Sequence, residues 1–231
     1  LFYQPLLNEG AHYLDPDESR HAARVLRHRV GDVIHITDGK GNLFDGRILS
    51  EDQTRCTFEV VGEHREVPRT YDIHIAISPL SHPDRLEWFV EKAVEMGVSR
   101  ISLLLCQRTE KRHVKTERLL KIAVGAMKQS QRLTLPEITE PLPFDSFVTS
   151  CAADQKFIAY VDSSNPVHLF TTATKSRRYA ICVGPEGDFT EAELNLAIGS
   201  DFKKVSLGTH RLRTETAGIA ACHMLDLVNH S

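Results

Sequence analysis

Two loops in the last third of the chain hold the residues best suited to chemistry. One is Gly184-Pro185-Glu186-Gly187-Asp188-Phe189-Thr190, after the apolar run Tyr179 to Val183. The other is Leu207-Gly208-Thr209-His210-Arg211-Leu212-Arg213-Thr214-Glu215-Thr216-Ala217, after the run Lys203 to Leu207. In open parallel sheets, ligands bind beyond the carboxyl ends of the strands. Glycine there lets the backbone approach a ligand closely. Pro185 stiffens the loop that presents Glu186, and Thr214 and Thr216 can cap a helix or hydrogen-bond a polar ligand. Taken singly, each loop also reads as an ordinary turn with a helix cap. A Walker lysine, a G-x-G-x-x-G and a G-x-S-x-G are all absent, which disfavours a phosphate loop, a Rossmann site and a serine hydrolase. The five cysteines (Cys56, Cys106, Cys151, Cys182 and Cys222) show no C-x-x-C spacing, and the 12 histidines are scattered. That pattern predicts buried free thiols in a reducing cytosol, a cytoplasmic location and no metal site.

Those loops need a frame. The chain has 231 residues, 41% hydrophobic and 26% charged, which fits a globular protein of one large domain or two small ones. No stretch nears the roughly 18 apolar residues of a membrane helix, so no membrane partner is expected. Leu1 to Gly10 lacks a signal-peptide pattern, and the missing Met hints at a trimmed start. The first seventy residues read as mostly β. Val33 to Thr37 and Phe44 to Ser50 flank the turn Asp38-Gly39-Lys40-Gly41-Asn42, and Thr57 to Val61 is a third strand. Ser19 to Arg29 is helical, with Ala22, Val25, Leu26 and Val30 recurring at helical spacing. This region predicts a small β-barrel or half-barrel, and the polar Glu63 to Thr70 a linker.

From Tyr71 the period changes. Strands are expected at Asp72 to Ser78, Arg100 to Cys106, Lys156 to Asp162, Tyr179 to Val183 and Lys203 to Leu207. Helices are expected at Asp84 to Met96, Thr116 to Arg132, Thr190 to Ile198 and Glu215 to Val228. Asp84 with Glu87 and Thr190 with Glu193 have capping-box spacing. Strands alternating with helices imply an α/β domain with a largely parallel sheet. The boundaries are therefore 1–68 and 69–231.

Together the pieces resemble the RsmE family, the 16S ribosomal RNA uridine-N3 methyltransferases of the SPOUT superfamily. His21-Ala22-Ala23-Arg24-Val25-Leu26-Arg27 is similar to the family's H-x-x-R-V-L-R element, followed by Gly31 and the Asp38-Gly39 turn. Glu91 to Val98 is similar to its K-x-x-E-L-G-V helix end. Gln129-Ser130-Gln131-Arg132 with Pro136 matches its Q-S-x-R…P segment. Gly184 to Gly187 and Leu212 to Ala217 match its two signature loops. The chain departs from the pattern in two places. Asp188 stands for the second glycine of G-P-E-G-G, and His210-Arg211 for Arg-Ile in L-G-x-R-I-L-R.

The resemblance implies an N-terminal PUA-like β-barrel that binds RNA and a C-terminal α/β domain with a deep trefoil knot. It implies a homodimer acting on 16S RNA of the small ribosomal subunit, with S-adenosylmethionine as cofactor. Mapped here, the cofactor loops are the Tyr160-Val161-Asp162 end, Gly184-Pro185-Glu186-Gly187, and the Leu207 to Ala217 loop with Leu207, Gly208, Leu212, Arg213, Thr216 and Ala217. Uridine N3 carries a proton that must leave before or during transfer, so a base or a stabilising cation is needed. Arg213 can stabilise an anionic uracil. Glu186 or Glu215 can accept the proton or only orient Arg213, and both equally fit a buried ion pair or helix-start charge.

Net charge is −3, from 28 basic and 31 acidic side chains, which excludes a uniformly cationic nucleic-acid binder. The charge is sorted along the chain: −3 over residues 1–70, +4 over 71–133 and −4 over 134–231. Cys106 to Arg132 holds 8 basic and 2 acidic residues, and Ser19 to Arg29 four Arg and no acid. Arg20, Arg24, Arg27, Arg108, Lys111, Arg112, Gln129 and Arg132 are the candidate RNA contacts. The alternatives are a methyltransferase for another RNA, such as tRNA, and a non-catalytic RNA-binding or ribosome-assembly module.

Overall fold

The computed structural model describes residues 1–161 and 167–230, and the chain divides into two compact units. The first comprises Leu1–Pro68 and Val124–Leu135. It contains β1 (Phe2–Tyr3), α1 (Pro16–Arg20), β2 (Val33–Thr37), β3 (Asn42–Ser50) and β4 (Thr57–Arg65). The sheet order is β1-β2-β3-β4, with β1 parallel to β2 and the other pairs antiparallel. The β2–β3 hairpin turns where the sequence placed it. Asp38 Oδ1 accepts the Lys40 and Asn42 amides at 2.8 and 3.3 Å. Gly39 and Gly41 supply the positive φ values, 75° and 93°. Phe2, Leu14, Ile36, Phe44, Ile48 and Phe58 close the core. Val124–Leu135 belongs here because Leu133 O accepts from Thr37 Oγ1 (3.1 Å) and Gly41 N (2.9 Å), while Leu135 N donates to Gly39 O (2.8 Å).

Two expectations in this unit need correction. The Glu63 to Thr70 linker begins later, because Glu63, His64 and Arg65 pair with Phe44, Leu43 and Asn42 in β4. The Ser19 to Arg29 helix is a different object. Asp15 caps α1 through the Asp17 and Glu18 amides, and the helix then widens into a π turn over His21–Val25. Arg27 has φ 57°, which ends it. Of the apolar set only Ala22 is buried, while Val25 and Val30 are 64% and 60% exposed.

The second unit comprises Arg69–Ala123 and Pro136–Ser231. Its elements are β5 (Asp72–Ile77), α2 (Pro83–Glu95), β6 (Arg100–Leu105), the start of α3 (Thr116–Gln129), β7 (Glu137–Ile138), β8 (Leu142–Pro143) and α4 (Phe144–Ser150). They continue with β9 (Gln155–Ala159), α5 (Leu169–Thr172), β10 (Arg178–Val183), α6 (Glu191–Gly199), β11 (Lys203–Val205) and α7 (Thr214–His230). The strands run parallel in the order β11-β9-β10-β5-β6-β7, with β8 beside β6. β5 and β10 are buried on both faces, as their near-continuous apolar composition requires. Asp162, expected at the end of the β9 strand, lies outside the described residues.

α2 buries Leu86, Phe89, Val90, Ala93 and Val94, one stripe at helical spacing. It ends in a Schellman motif: Val98 N donates to Ala93 O and Gly97 N to Val94 O, with Gly97 at φ 82°. The expected Asp84–Glu87 capping box does not form. His82 is the N-cap residue, and Glu87 is held bidentately by Arg118 at 2.8 and 2.9 Å. The Thr190–Glu193 capping box does form at the start of α6.

Candidate functional site

Because the strands are parallel, β5, β9, β10 and β11 release their chains at the same edge of the sheet. β10 sits between β9 and β5, so its loop emerges between theirs. A cavity of about 560 Å3 opens there, within the range of small-molecule sites. It is lined by Ala159 to Val161, Val183 to Asp188, Ser206 to Thr214, and Ala217. Thus Tyr160, Val161, Gly184, Pro185, Glu186, Gly187, Leu207, Gly208, Leu212, Arg213 and Ala217 come together. Thr216 does not line the cavity and lies exposed on α7. Asp188, Ser206, His210 and Arg211 also line it, without having been singled out as ligand contacts.

The loops hold one another. Thr214 Oγ1 donates to Gly184 O at 3.0 Å. Ala217 N donates to Arg213 O at 2.8 Å, so Arg213 immediately precedes the first residue of α7 and its carbonyl accepts the first helical bond. A Cβ on Gly184 would meet the Phe189 ring at 3.1 Å, and Gly187 has φ 98°. Asp188 N closes a turn on Pro185 O at 2.9 Å. Asp188 takes φ 67°, a left-handed conformation that Asp tolerates better than most residues. That is why the departure from glycine leaves the loop's frame intact. Its carboxylate accepts Phe189 N (2.8 Å) and Val161 N (3.3 Å), which ties the β10 loop to the β9 end. Burial pushes its pKa up, opposed by those amides and by Arg211 and Arg108.

The acids are arranged around a residue that the sequence did not mark. Arg85, in the first turn of α2, places Nη1 3.3 Å from Glu186 Oε1 and Nε 3.9 Å from Glu215 Oε1. Ser81 Oγ lies 3.3 Å from Glu186 Oε2 and donates to Glu110 Oε2 at 2.7 Å. Glu215 is 7% exposed, and its Oε2 is buried without a hydrogen-bond partner. Glu215 does not line the cavity, whereas Glu186 and Arg213 do. Among the described residues Arg213 makes no ion pair. Nothing in the local sequence around Arg85 distinguishes it from a surface helix residue. Its partners are 101 and 130 positions away.

The candidate RNA contacts divide by what already holds them. Arg108 donates to Gly187 O, so its guanidinium supports the loop. Lys111 and Arg112 are exposed and make no ion pair among the described residues. In the first unit, Arg20 pairs with Asp17 (3.0 Å), Arg24 Nε meets Gln53 Oε1 (2.7 Å), and Arg27 and Gln129 are exposed. Arg132 is half-buried, its amide on Met127 O.

A second cavity of about 480 Å3 lies at the amino ends of the strands, against Asp72, Arg100 and Arg178. It contains neither loop. His74 lines it with Nε2 2.9 Å from Ser102 Oγ, and burial lowers its pKa to about 4. Among the described residues no group of three or more His, Cys, Asp or Glu could hold a metal ion, and no helix is long and apolar enough to cross a membrane. The five cysteines are free.

Comparison with known proteins agrees with the loop geometry. Residues 67–226 match the family model described as an RNA methyltransferase domain, and residues 14–61 match an RNA methyltransferase PUA domain. The chain is 30% identical over 221 residues to the ribosomal RNA small subunit methyltransferase E of Bacillus subtilis, covering 89% of this chain and 85% of that one. A probable rRNA-methyltransferase from Porphyromonas gingivalis superposes with TM-score 0.93 at 37% identity, covering 99% and 98%. The ribosomal RNA small subunit methyltransferase E of Neisseria gonorrhoeae, bound to S-adenosyl methionine, superposes with TM-score 0.83 at 28% identity, covering 96% and 94%.

Proposed function

The chain belongs to the RsmE family of RNA methyltransferases, and from that premise we propose that it methylates N3 of a uridine in 16S ribosomal RNA, using S-adenosylmethionine. The observation that carries this reading is the single cavity formed by the β9, β10 and β11 loops, with Glu186 and Arg213 on its wall. The cavity fits the cofactor. Gly187 and Gly208 are exposed at its edge with no side chain of their own, so a flat ligand can come close to the loop backbone there.

When bound, the sulfonium supplies an already reactive methyl group, so the protein's task is position and electrostatics. The backbone of Gly184 to Gly187, with Tyr160, Val161, Leu207, Gly208, Leu212 and Ala217, would hold the cofactor. Arg213, unpaired among the described residues at the head of α7, offsets the charge that uracil gains as N3 loses its proton. Glu186 faces the cavity and takes that proton or holds the base in place. Arg85 keeps Glu186 oriented, and Glu215 anchors Arg85 from the buried side.

The RNA is gripped by exposed cations, Lys111 and Arg112 in the second unit and Arg20, Arg24 and Arg27 in the first, with the neutral Gln129 amide as a hydrogen-bonding contact beside them. Residues 1–68 serve as the RNA-binding module and 69–231 as the methyltransferase domain. The trefoil knot and the homodimer belong to the same reading. Free thiols support a cytoplasmic location.

The test is incubation with S-adenosylmethionine and small ribosomal subunits lacking the modification, then mass spectrometry of the digested 16S RNA. A new 3-methyluridine is expected. Its absence would overturn the proposal.

A further inference from the structure

The second unit carries another recess beside the loops. A groove of about 360 Å3 runs between the start of α2 and the segment entering α3. Leu80, Leu86 and Leu119, each at most 3% exposed, form its floor with Pro83 and Val114. Lys111, His113, Lys115 and Arg118 form its rim together with the acidic Glu87. Arg118 is already engaged by Glu87 at 2.8 Å. Lys111 and Lys115 are exposed and make no ion pair among the described residues.

An apolar floor under a cationic rim is the two-part chemistry that an unstacked nucleotide requires. The flat face of a base covers aliphatic surface, and the phosphates on either side meet ammonium groups. A purely hydrophobic peptide would leave the lysines without partners, and an anion alone would leave the accessible apolar surface of Pro83 and Val114 uncovered. The groove is also linked to the cofactor cavity by side-chain contacts. Leu80 on its floor precedes Ser81, whose hydroxyl is 3.3 Å from Glu186 Oε2. Arg85, one position before Leu86, reaches Glu186 at 3.3 Å. Ser81 and Arg85, each next in sequence to a leucine of the groove floor, thus connect the groove to Glu186 on the cofactor cavity's wall.

We propose that this groove receives the base of a nucleotide flanking the methylated uridine, with Lys111 and Lys115 on its phosphates. The inference rests on the RNA methyltransferase reading. It adds that the enzyme binds its target segment single-stranded and unstacked, with a subsite for a neighbouring base.

The probe is a fluorescein-labelled oligouridylate hexamer, compared with the same hexamer carrying abasic riboses, in anisotropy titrations. Wild-type protein should bind the base-bearing hexamer at least tenfold more tightly. Val114→Trp, which fills the groove without charge, should abolish that difference while leaving abasic binding unchanged, and Val114→Asp should abolish it and also weaken abasic binding, because its carboxylate stands among the lysines that meet the phosphates. Lys111→Glu with Lys115→Glu should weaken both hexamers equally and flatten the salt dependence. S-adenosylmethionine affinity should be unchanged in all variants, which confirms the fold. Equal affinity of the wild type for both hexamers would overturn the proposal. So would loss of a dimer in Val114→Asp, because the groove would then be a protein contact. If wild-type protein fails to methylate small subunits, the functional reading falls instead. If it methylates and Val114→Asp keeps the wild-type KM for subunits, only the groove falls.

Discussion

Arg85 stands between two carboxylates that the sequence ranked as equals, and the structure gives them different positions. Glu186 faces the cavity, and Glu215 lies buried behind Arg85 with one oxygen unpartnered. Arg85→Ala would leave Glu215 without its cation in a poorly hydrated place. A loss of about 1–3 kcal/mol in urea unfolding is expected. Turnover should fall at least tenfold with cofactor affinity nearly unchanged, and Arg85→Lys should recover little, since one ammonium cannot span both acids. Equal loss of turnover and cofactor affinity would place Arg85 in the cofactor pocket. At this scale the glycines, Pro185, Glu186 and Arg213 were legible because their types announce loop chemistry. Arg85, Ser81 and Glu110 were not, because partners so distant in sequence meet only once the sheet has formed. Asp188 was legible as a departure. That its carboxylate ties the loop to Val161 was visible only in three dimensions.

Helix α7 carries Glu215 and follows directly on Arg213, and its seat on α2 decides where they stand. A Cβ on Gly218 would come within 2.5 Å of the Phe89 ring edge and 3.1 Å of Ile77. Glycine there permits the approach that brings Glu215 to Arg85. Gly218→Val should therefore cost about 2–3 kcal/mol of stability through overpacking. Activity should fall beyond what the folded fraction explains, measured by calorimetry and methyl transfer on the same samples. Unchanged melting would mean that α7 can shift without loss. The long elements were readable from their periods. α2 repeats its apolar residues every three to four positions, and β5 and β10 are nearly continuous apolar runs. The short ones (β1, β7, β8, α4 and α5) were not expected, because two to seven residues do not establish a period. The apolar set at residues 22–30 misled for a related reason. A π turn and a left-handed Arg27 break the geometry that the spacing assumed.

For the molecule as a whole, the clearest pH signature comes from His74, below the sheet. Its ordinary pKa is 6.5, and burial lowers it to about 4 in the fold. Between those values the unfolded chain binds the extra proton. Stability that is complete above pH 6.5 is therefore lost as pH falls toward 4, by on the order of 3 kcal/mol. Urea unfolding of wild type and His74→Gln across that range should separate as pH falls, with the wild type losing stability that the variant keeps. Parallel curves would show that His74 is not the titrating group. The sheet also explains why net charge said little. The +4 of residues 71–133 is spent in part on structure, through Arg85, Arg100, Arg108 and Arg118. The cations left for RNA are fewer than the count, and Lys111 and Lys115 among them border the groove.

What the amino-acid sequence determined by itself was the kind of chain this is: two regions of different period, a parallel α/β frame, two glycine-bearing loops at strand ends, and cations gathered in segments. Each of these is a local property, set by side-chain type and by spacing of a few residues. Only the tertiary structure decided that β10 lies between β9 and β5, that Val124–Leu135 belongs with the first unit, and that Arg85 joins Glu186 to Glu215. Those outcomes rest on contacts between positions tens to more than a hundred residues apart. Strand order, close helix approach and buried pairing select them together, and no single segment encodes them.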